Sequence, residues 1–195
     1  TYTLDNANPL TNALAQGAHA SDVFSYTEAD HHGGMSTTTL TIDVTGSNDA
    51  PMISIDLLGV TDNPDGTTTI SGLSIIDPDA ISTETFTMSA TTAGAASGSS
   101  VTPASGSGQL ANINTDLQSG LIYHQGSAPT DMVTLAVADG HGAIDTVNFI
   151  FNVAANPVTP VTLAGTTARD VFFATGHQDQ FVFAAGLNHD TVMNF

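Results

Sequence analysis

The chain has 195 residues, enough for one large domain or two of ordinary size. It carries 19 Asp and Glu residues against one basic residue, Arg169, which gives a formal net charge of -18 at pH 7. This charge excludes nucleic acid and anionic membranes as partners, because both need a basic face on the protein. Internal salt bridges cannot neutralise it, so either the carboxylates repel one another across a solvated surface or the protein binds cations from outside. Hard divalent cations are those that oxygen-rich sites bind.

Apolar residues make up 41% of the chain and alternate with Thr and Ser in short runs. Such alternation is typical of β-strands in a folded domain. The chain contains no cysteine, so no disulfide stabilises it. No apolar run approaches the roughly 20 residues that span a bilayer, and the first ten residues lack a signal-peptide pattern. We therefore expect a folded all-β segment, without membrane insertion, that is an internal piece of a longer protein.

A repeat with an offset of 109 residues organises the chain. Ser21–Gly34 aligns with Thr130–Ala143, so that Asp30 matches Asp139. Each copy has a turn of sequence Ala-Asp-x-His-Gly between two runs of alternating apolar residues. Asp and Gly favour chain reversal, and the pattern predicts a β-hairpin in each copy. The length of the repeat is that of one β-sandwich domain, and the hairpin would be the last of an immunoglobulin-like module.

Two linkers divide the chain into three regions. The first, SNDAP at 47–51, combines turn-forming residues with a proline that interrupts strand pairing, and the second, AANPVTP, spans 154–160. Residues 1–50 therefore contain the C-terminal half of a β module, and 51–155 a complete immunoglobulin/cadherin-like antiparallel β-sandwich. Residues 156–195 form a truncated segment.

The middle region has the succession of strands and turns that such a sandwich requires. Its apolar alternation predicts strands in MISIDLL, TTTISGL, TFTMS, LIY, MVTLAVA and TVNFIFNV. One helical turn is predicted at Leu110 to Leu117, and the small, polar stretch from Thr91 to Gly108 is predicted to be a mobile loop. In the last region, the short strands DVFF and QFVFA flank TGHQ.

The incomplete modules at 1–50 and 161–195 have a physical consequence. A half-sandwich exposes an apolar face and unpaired strand edges, and such edges invite strand addition. We expect these edges to pair with strands from each other, from neighbouring modules of the same polypeptide, or from another copy of the chain.

Three stretches resemble families of large bacterial secreted proteins. TYTLDNANP, DVFSYTEADHHGG, TTTLTIDVTG and NDAP are together similar to the second half of the VCBS repeat. ISGLSIIDPDA, LIYHQG and VTLAVADGHGAIDTVNFIFNV resemble the cadherin-like domains of the same surface proteins. GTTARDVFFATGHQDQFVFAAGLNHDTVMNF looks like the C-terminal region of repeats-in-toxin (RTX) proteins.

The third stretch departs from the RTX pattern. The calcium nonapeptide GGxGxDxxx is absent, and ATGHQDQFVF keeps Gly176, Asp179, Phe181 and Phe183 of it. A capping strand pair is therefore expected there. Taken together, the resemblances imply a calcium-stabilised structural or adhesive module of a large secreted or cell-surface bacterial adhesin, which mediates surface adhesion or attachment to a biofilm matrix.

Acidic turns at three places supply candidate calcium ligands. They are Asn48 and Asp49 in the first linker, Asp77 and Asp79 in IIDPDA, and Asp139 in the VADGHG turn. Calcium takes six to eight oxygens, and an Asp-x-Asp pair can direct two carboxylates at one centre. The resemblance to cadherins implies that these loops hold calcium where two domains meet, although the glutamates of a preceding half-domain are missing. The alternative is that they are ordinary turns, in which Asp is common.

Three further Asp residues are candidate ligands for other ions. Asp62 and Asp65 belong to DNPDG, which a hairpin turn explains better, and Asp30 matches Asp139 of the VADGHG turn through the repeat. His31 and His32 adjoin Asp30. No second His or Cys cluster stands at zinc-ligand spacing, so these histidines are expected to be exposed turn residues.

The sequence has no arrangement typical of an enzyme. It lacks G-x-S-x-G, H-E-x-x-H and a cysteine nucleophile, and its single arginine excludes a cluster of cationic phosphate clamps. We therefore expect a non-enzymatic protein that recognises an unidentified surface ligand. One alternative is the non-catalytic, calcium-binding C-terminal region of a secreted RTX-type hydrolase or toxin. Carbohydrate binding is another, which the absence of Trp and the presence of just three Tyr disfavour.

Overall fold

Strands dominate the part of the chain that the computed structural model describes, namely residues 1–94, 97–152, 161–173, 179–185 and 189–193. Within these residues, two short helices accompany sixteen strands. The predicted all-β class is confirmed. Neither of these two helices is long and apolar enough to cross a membrane.

The backbone forms two compact units. One consists of Thr1–Asp49 with Pro78–Ile81, and the other of Ala50–Asp77 with Ser82–Phe195. The division after Asp49 falls inside the first predicted linker. The third predicted region, 156–195, belongs to the second unit, because two of its strands extend the largest sheet of that unit.

The first unit is built around one long hairpin. Helix α1 (Pro9–Asn12) is capped by the Asn8 side chain, which accepts a hydrogen bond from a backbone N–H of the first turn. Strand β1 (His19–Ala29) then pairs antiparallel with β2 (Met35–Thr45). Because successive side chains point to opposite faces, one face of this hairpin, which we call its apolar face, carries Phe24, Tyr26 and Leu40 together with Asp22 and Glu28. The other face is rich in Thr and Ser. Every residue of β1 and most of β2 are exposed.

The second unit contains two larger sheets and two small strand pairs. Its elements are β3 (Met52–Ser54), β4 (Gly59–Asp62), β5 (Thr67–Ser71), β6 (Ser74–Ile76), β7 (Phe86–Thr92), β8 (Ser100–Thr102), β9 (Ser105–Gly108), α2 (Leu110–Gln118), β10 (Leu121–His124), β11 (Thr130–Ala138), β12 (Ile144–Asn152), β13 (Thr162–Ala164), β14 (Arg169–Phe173), β15 (Gln180–Val182) and β16 (Thr191–Met193). Four strands pair in the order β4-β5-β10-β8 and six in the order β16-β14-β12-β11-β7-β9. The small pairs are β3-β6 and β13-β15.

An aromatic stack joins the four-stranded and six-stranded sheets. Tyr123 of β10 stacks on Phe151 of β12 with ring centroids 5.0 Å apart, and Phe151 stacks on Phe173 of β14 at 4.8 Å. Ile113 and Leu117 of α2 are also fully buried. Burial of such side chains is the main stabilising term of the unit. The immunoglobulin/cadherin-like arrangement of these sheets stays a prediction.

The C-terminal strands of the second unit alternate between two sheets. β13 and β15 pair in parallel, with Thr162 opposite Gln180. β14 pairs in parallel with β12, and β16 pairs in parallel with β14, with Val171 opposite Thr191. A second core cluster accompanies these strands, and its buried members are Ile150, Leu163 and Phe172. The segment therefore builds on β12 as successive parallel strands, which is more than the capping strand pair predicted for it.

Local predictions in the middle region have mixed outcomes. The mobile loop predicted from Thr91 to Gly108 is wrong for its second half, because β8 pairs with β10 and β9 pairs with β7 there. The helical turn predicted at Leu110 to Leu117 is confirmed as α2. The second predicted linker, 154–160, and Gly176 lie outside the described residues.

Candidate metal centre

Six carboxylates of the described residues are buried, each at most 9% exposed. They are Asp77, Asp79, Glu84, Asp131, Asp139 and Asp170. Burial of a carboxylate is costly unless hydrogen bonds or a cation compensate its charge. The single arginine of the chain, Arg169, pairs with none of the six: its Nη2 donates to the Ile53 carbonyl at 2.7 Å and to Asp145 Oδ2 at 3.1 Å.

The turn between β11 and β12 is organised by Asp139. Its Oδ1 accepts hydrogen bonds from the backbone N–H groups of His141 at 2.8 Å and Ala143 at 2.9 Å. Gly142 follows with a φ of 92°, a conformation that glycine adopts readily and L side chains rarely adopt. The turn thus holds the Asp139 carboxylate in a fixed orientation at the end of two strands of the six-stranded sheet.

Glu84 brings a second buried carboxylate to this turn. Its Oε1 accepts from the Gly140 N–H at 3.0 Å and lies 3.0 Å from His141 Nδ1. Glu84 comes two residues before β7, which pairs with β11, and this pairing places it beside the β11–β12 turn. Ligand atoms of Glu84, Asp139 and His141 all lie within 4.8 Å of one another. We call these three residues the Glu84 cluster.

The donor set of the Glu84 cluster fits a divalent cation. Two buried carboxylates offer the hard oxygens that calcium prefers. The imidazole is a ligand more typical of zinc, manganese or nickel, but Nδ1 of His141 is already in hydrogen-bond contact with Glu84. Calcium takes six to eight oxygens, so Glu84 and Asp139 would be part of its coordination shell and not all of it.

The five residues predicted to share a calcium ion are divided between the two units. Asn48, Asp49 and Asp79 belong to the first unit, and within it the Asp49 N–H donates to Asp79 Oδ1 at 3.2 Å. Asp77 and Asp139 belong to the second unit. Within the first unit Asp49 is in contact with Asp79, and within the second unit Asp139 lies with Glu84 and His141, two residues outside the prediction.

Asp62 and Asp65 flank the turn between β4 and β5. Asp62 Oδ1 accepts from the Thr68 hydroxyl at 2.9 Å, and Asp65 Oδ1 accepts from the Thr67 hydroxyl at 2.8 Å and the Thr67 N–H at 3.1 Å. These bonds, the hydroxyl bond first, hold the pKa of Asp65 below its ordinary value. The hairpin turn predicted for DNPDG is present.

Asp30 occupies the same position in the first hairpin that Asp139 occupies in the second. Its Oδ1 accepts from the His32 N–H at 2.8 Å and the Gly34 N–H at 2.7 Å, and these bonds, that of Gly34 first, hold its pKa below the ordinary value. His31 and His32 are exposed, as expected for turn residues. Within the described residues, no metal-binding group of three His, Asp or Glu side chains includes Asp30.

Sequence reasoning missed Glu84 and His141 as members of the cluster. Glu84 stands alone in STETF, without a motif, and it reaches Asp139 through the pairing of β7 with β11. A usable signal was its place five residues after the Asp77-Pro-Asp79 run in the same loop. His141 belongs to the repeated Ala-Asp-x-His-Gly turn, and within the described residues no metal-binding group of three includes its equivalent in the first hairpin, His32.

Asp131 has a different environment from the Glu84 cluster. Its Oδ2 accepts from the Tyr123 hydroxyl at 2.8 Å and its Oδ1 from the Gly94 N–H at 2.6 Å. Burial, and then the hydrogen bond to Asp131, raise the pKa of Tyr123 well above its ordinary value. This pair has the hydrogen bonds that a buried carboxylate requires, and it joins the four-stranded and six-stranded sheets.

Comparisons with known proteins give little guidance. No family model matches the chain, and no curated protein matches it. Among solved structures, the chain is similar to the solution NMR structure of a lipoprotein from Bacteroides thetaiotaomicron at 14% identity, with 59% of this chain and 88% of that chain covered and a TM-score of 0.38. A likeness at this TM-score carries no argument about the function of the chain.

Proposed function

We propose that the chain is a calcium-stabilised, non-enzymatic structural module of a large secreted or cell-surface bacterial protein that mediates surface adhesion or biofilm attachment. The observation behind a metal site is the Glu84 cluster, in which two buried carboxylates meet where β7 begins and where β11 turns into β12. The choice of calcium as the ion follows from the preference of calcium for carboxylate oxygens and from the charge of the chain. The adhesive role and the location rest on the resemblance to VCBS and cadherin-like modules.

Calcium bound to Glu84 and Asp139 would stabilise the fold by linking β7, which Glu84 precedes, to β11, which Asp139 follows. A cation between the carboxylates removes their mutual repulsion and ties the start of β7 to the β11–β12 turn. A ligand that binds the folded state alone stabilises it by ~2.7 kcal/mol at 100 times its dissociation constant. For a chain of this size, that corresponds to a rise in melting temperature of about 5–10 °C.

The test compares melting temperatures with millimolar calcium and with a chelator. We expect the wild-type chain to gain about 5–10 °C in calcium. Glu84→Gln and Asp139→Asn should each lose most of this gain, because each removes one charged ligand and keeps the size of the side chain. Asp30→Asn is the matched control, because Asp30 makes the same turn hydrogen bonds but, within the described residues, belongs to no metal-binding group of three. This variant should keep the gain.

Two results would contradict the calcium proposal. Equal melting temperatures in calcium and chelator would show that no stabilising calcium site exists. A rise with zinc or manganese but not with calcium would assign the cluster to a transition metal, with His141 as a ligand.

A second candidate function is the non-catalytic, calcium-binding C-terminal region of a secreted RTX-type hydrolase or toxin. The observation that favours it is the parallel pairing of β14 with β12, of β16 with β14 and of β15 with β13, since stacked parallel strands are typical of RTX β-rolls. Sequencing the flanking gene separates the two candidates. A zinc-protease or glycosidase domain upstream favours the hydrolase tail, and an array of similar β modules favours the adhesin.

A further inference from the structure

The apolar face of the first hairpin is exposed over most of its length. Phe24 is 46% exposed, Tyr26 55% and Leu40 52%. Phe24 and Leu40 lie opposite each other in the β1–β2 register, and Tyr26 is on the same face of β1. Within the described residues, β1 pairs with β2 alone, so its other edge has no strand beside it.

The repeat shows that the aromatic part of this face has the character of a core face, while Glu28 stands where the second hairpin has the buried Val137. The positions equivalent to Phe24, Tyr26 and Leu40 in the second hairpin are occupied by side chains that are completely buried, namely Val133, Leu135 and Phe149. The turns of the two hairpins have the same hydrogen bonds, so the equivalence holds in three dimensions as well as in sequence. The difference in burial therefore comes from what lies beside each hairpin.

In the second unit, the neighbour on the edge of β11 is β7. The two strands pair antiparallel from Val133 opposite Thr92 to Ala138 opposite Thr87. By the repeat offset of 109 residues, the stretch of β1 equivalent to this pairing runs from Phe24 to Ala29. A strand added there would place its alternate side chains beside Phe24 and Tyr26.

The chemistry of the added strand follows from β7 and from charge. β7 reads FTMSATT, with Phe86, Met88 and Ala90 buried and Ser or Thr between them, and it carries no charge. The first 49 residues include six carboxylates and no Lys or Arg; the carboxylates are those of Asp5, Asp22, Glu28, Asp30, Asp43 and Asp49. An acidic strand would be repelled by this charge, including that of a second copy, whose own β1 brings Asp22 and Glu28.

We propose that the free edge of β1 is a docking site for an extended, uncharged strand of alternating apolar and hydroxyl residues, added antiparallel along Phe24–Ala29. Main-chain hydrogen bonds would give the affinity, and the apolar side chains of the strand would cover the exposed face. The proposal is independent of the calcium site, since no residue of the Glu84 cluster takes part.

The test supplies such a strand in the same polypeptide. The segment TFTMSATT, identical to residues 85–92, is fused before Thr1 of the full chain through a flexible Gly/Ser linker of about 12 residues, which gives it a millimolar effective concentration. The matched control carries Met88→Pro in the fused copy, because proline removes a main-chain donor and is excluded from strand interiors. Amide hydrogen exchange of residues 24–29 is measured in both fusions and in the unfused chain.

We expect exchange in this stretch to slow by about tenfold or more in the fusion and to stay unchanged in the proline control. Tyr26→Glu in the fusion should abolish the protection. Val23→Glu should preserve it, since Val23 is 62% exposed on the opposite face of the same strand. Equal exchange in the fusion and the unfused chain would overturn the proposal. So would a concentration-dependent dimer of the unfused chain with β1 already protected, because a second copy would then be the occupant.

Discussion

The β1–β2 and β11–β12 hairpins have the same turn geometry and differ in the burial of their strands. The β1–β2 and β11–β12 turns each have an Asp side chain that accepts from two backbone N–H groups, followed by a glycine with a φ of 94° or 92°. Yet β1 is exposed throughout, whereas alternate residues of β11 are buried. The comparison teaches that turn geometry is encoded locally, while burial of the strands depends on the sheets that the rest of the chain provides.

The largest expected difference between the hairpins concerns their apolar side chains. Leu135→Ala should lower the free energy of unfolding of the second unit by ~2–5 kcal/mol, because it leaves a cavity at a position with 0% exposure. Tyr26→Ala, at the equivalent position of the first hairpin, should change stability by no more than ~0.5 kcal/mol, because its side chain is 55% exposed. Urea unfolding followed by hydrogen exchange measures each unit separately. Similar losses at both positions would mean that the first hairpin is covered in solution.

A smaller difference should follow removal of the tyrosine hydroxyl that donates to each hairpin. Asp131 and its repeat equivalent Asp22 each accept from a tyrosine, Tyr123 in the second unit and Tyr2 in the first. Tyr123→Phe leaves a buried carboxylate without this donor and should cost ~1–3 kcal/mol. Tyr2→Phe should have almost no effect, because Asp22 is exposed to water.

Alkaline pH provides a second test of the buried Tyr123 hydroxyl. Burial raises the pKa of Tyr123 above its ordinary value of 10.0, so the folded state disfavours the phenolate. The stability that this group contributes is fully present below pH 10.0 and is lost as the pH rises above it. Chemical unfolding between pH 9 and 11 should show this loss in the wild type and a smaller loss in Tyr123→Phe. Equal losses of stability with pH in the wild type and in Tyr123→Phe would contradict this prediction.

The smallest expected effect lies in the turn of the first hairpin. Hydrogen bonds from Gly34 and His32 lower the pKa of Asp30 below 3.8, so protonation opposes the folded turn. The stabilisation is present above pH 3.8 and is lost as the pH falls toward the lower pKa of the folded state. NMR titration of the Asp30 carboxyl should detect its protonation, and amide exchange at Gly34 should detect the opening of the turn. Both should occur at the same pH. Asp30→Asn should remove the pH dependence, and a carboxyl that titrates at 3.8 would contradict the prediction.

Sequence reasoning found the features that depend on neighbouring residues. The Ala-Asp-x-His-Gly repeat predicted both hairpins, and the helical turn predicted at Leu110 to Leu117 is α2. It did not find β9, because Ser105–Gly108 has no apolar alternation and is a strand through its pairing with β7. Nor did it find the parallel addition of β14 to β12, since pairing between distant segments is not visible in either strand alone.

In the candidate metal centre too, residues in local motifs were predicted and residues brought in by strand pairing were missed. Asp139 was predicted because its turn motif repeats in the chain. Glu84 was missed because it joins Asp139 through the β7–β11 register, more than fifty positions away in sequence. The predicted grouping of Asn48, Asp49, Asp77, Asp79 and Asp139 at one calcium centre came from resemblance to cadherins and stays a prediction.

The parallel pairing of β12 with β14 also determines how this part of the protein responds to mechanical load. Five residue pairs, from Val147 with Arg169 to Phe151 with Phe173, join the two strands in the same direction. A pull on the start of β12 against the end of β14 acts at opposite ends of the pair, so it shears the strands along each other. All five positions share such a load at once, whereas an antiparallel hairpin pulled at its two ends opens one pair at a time.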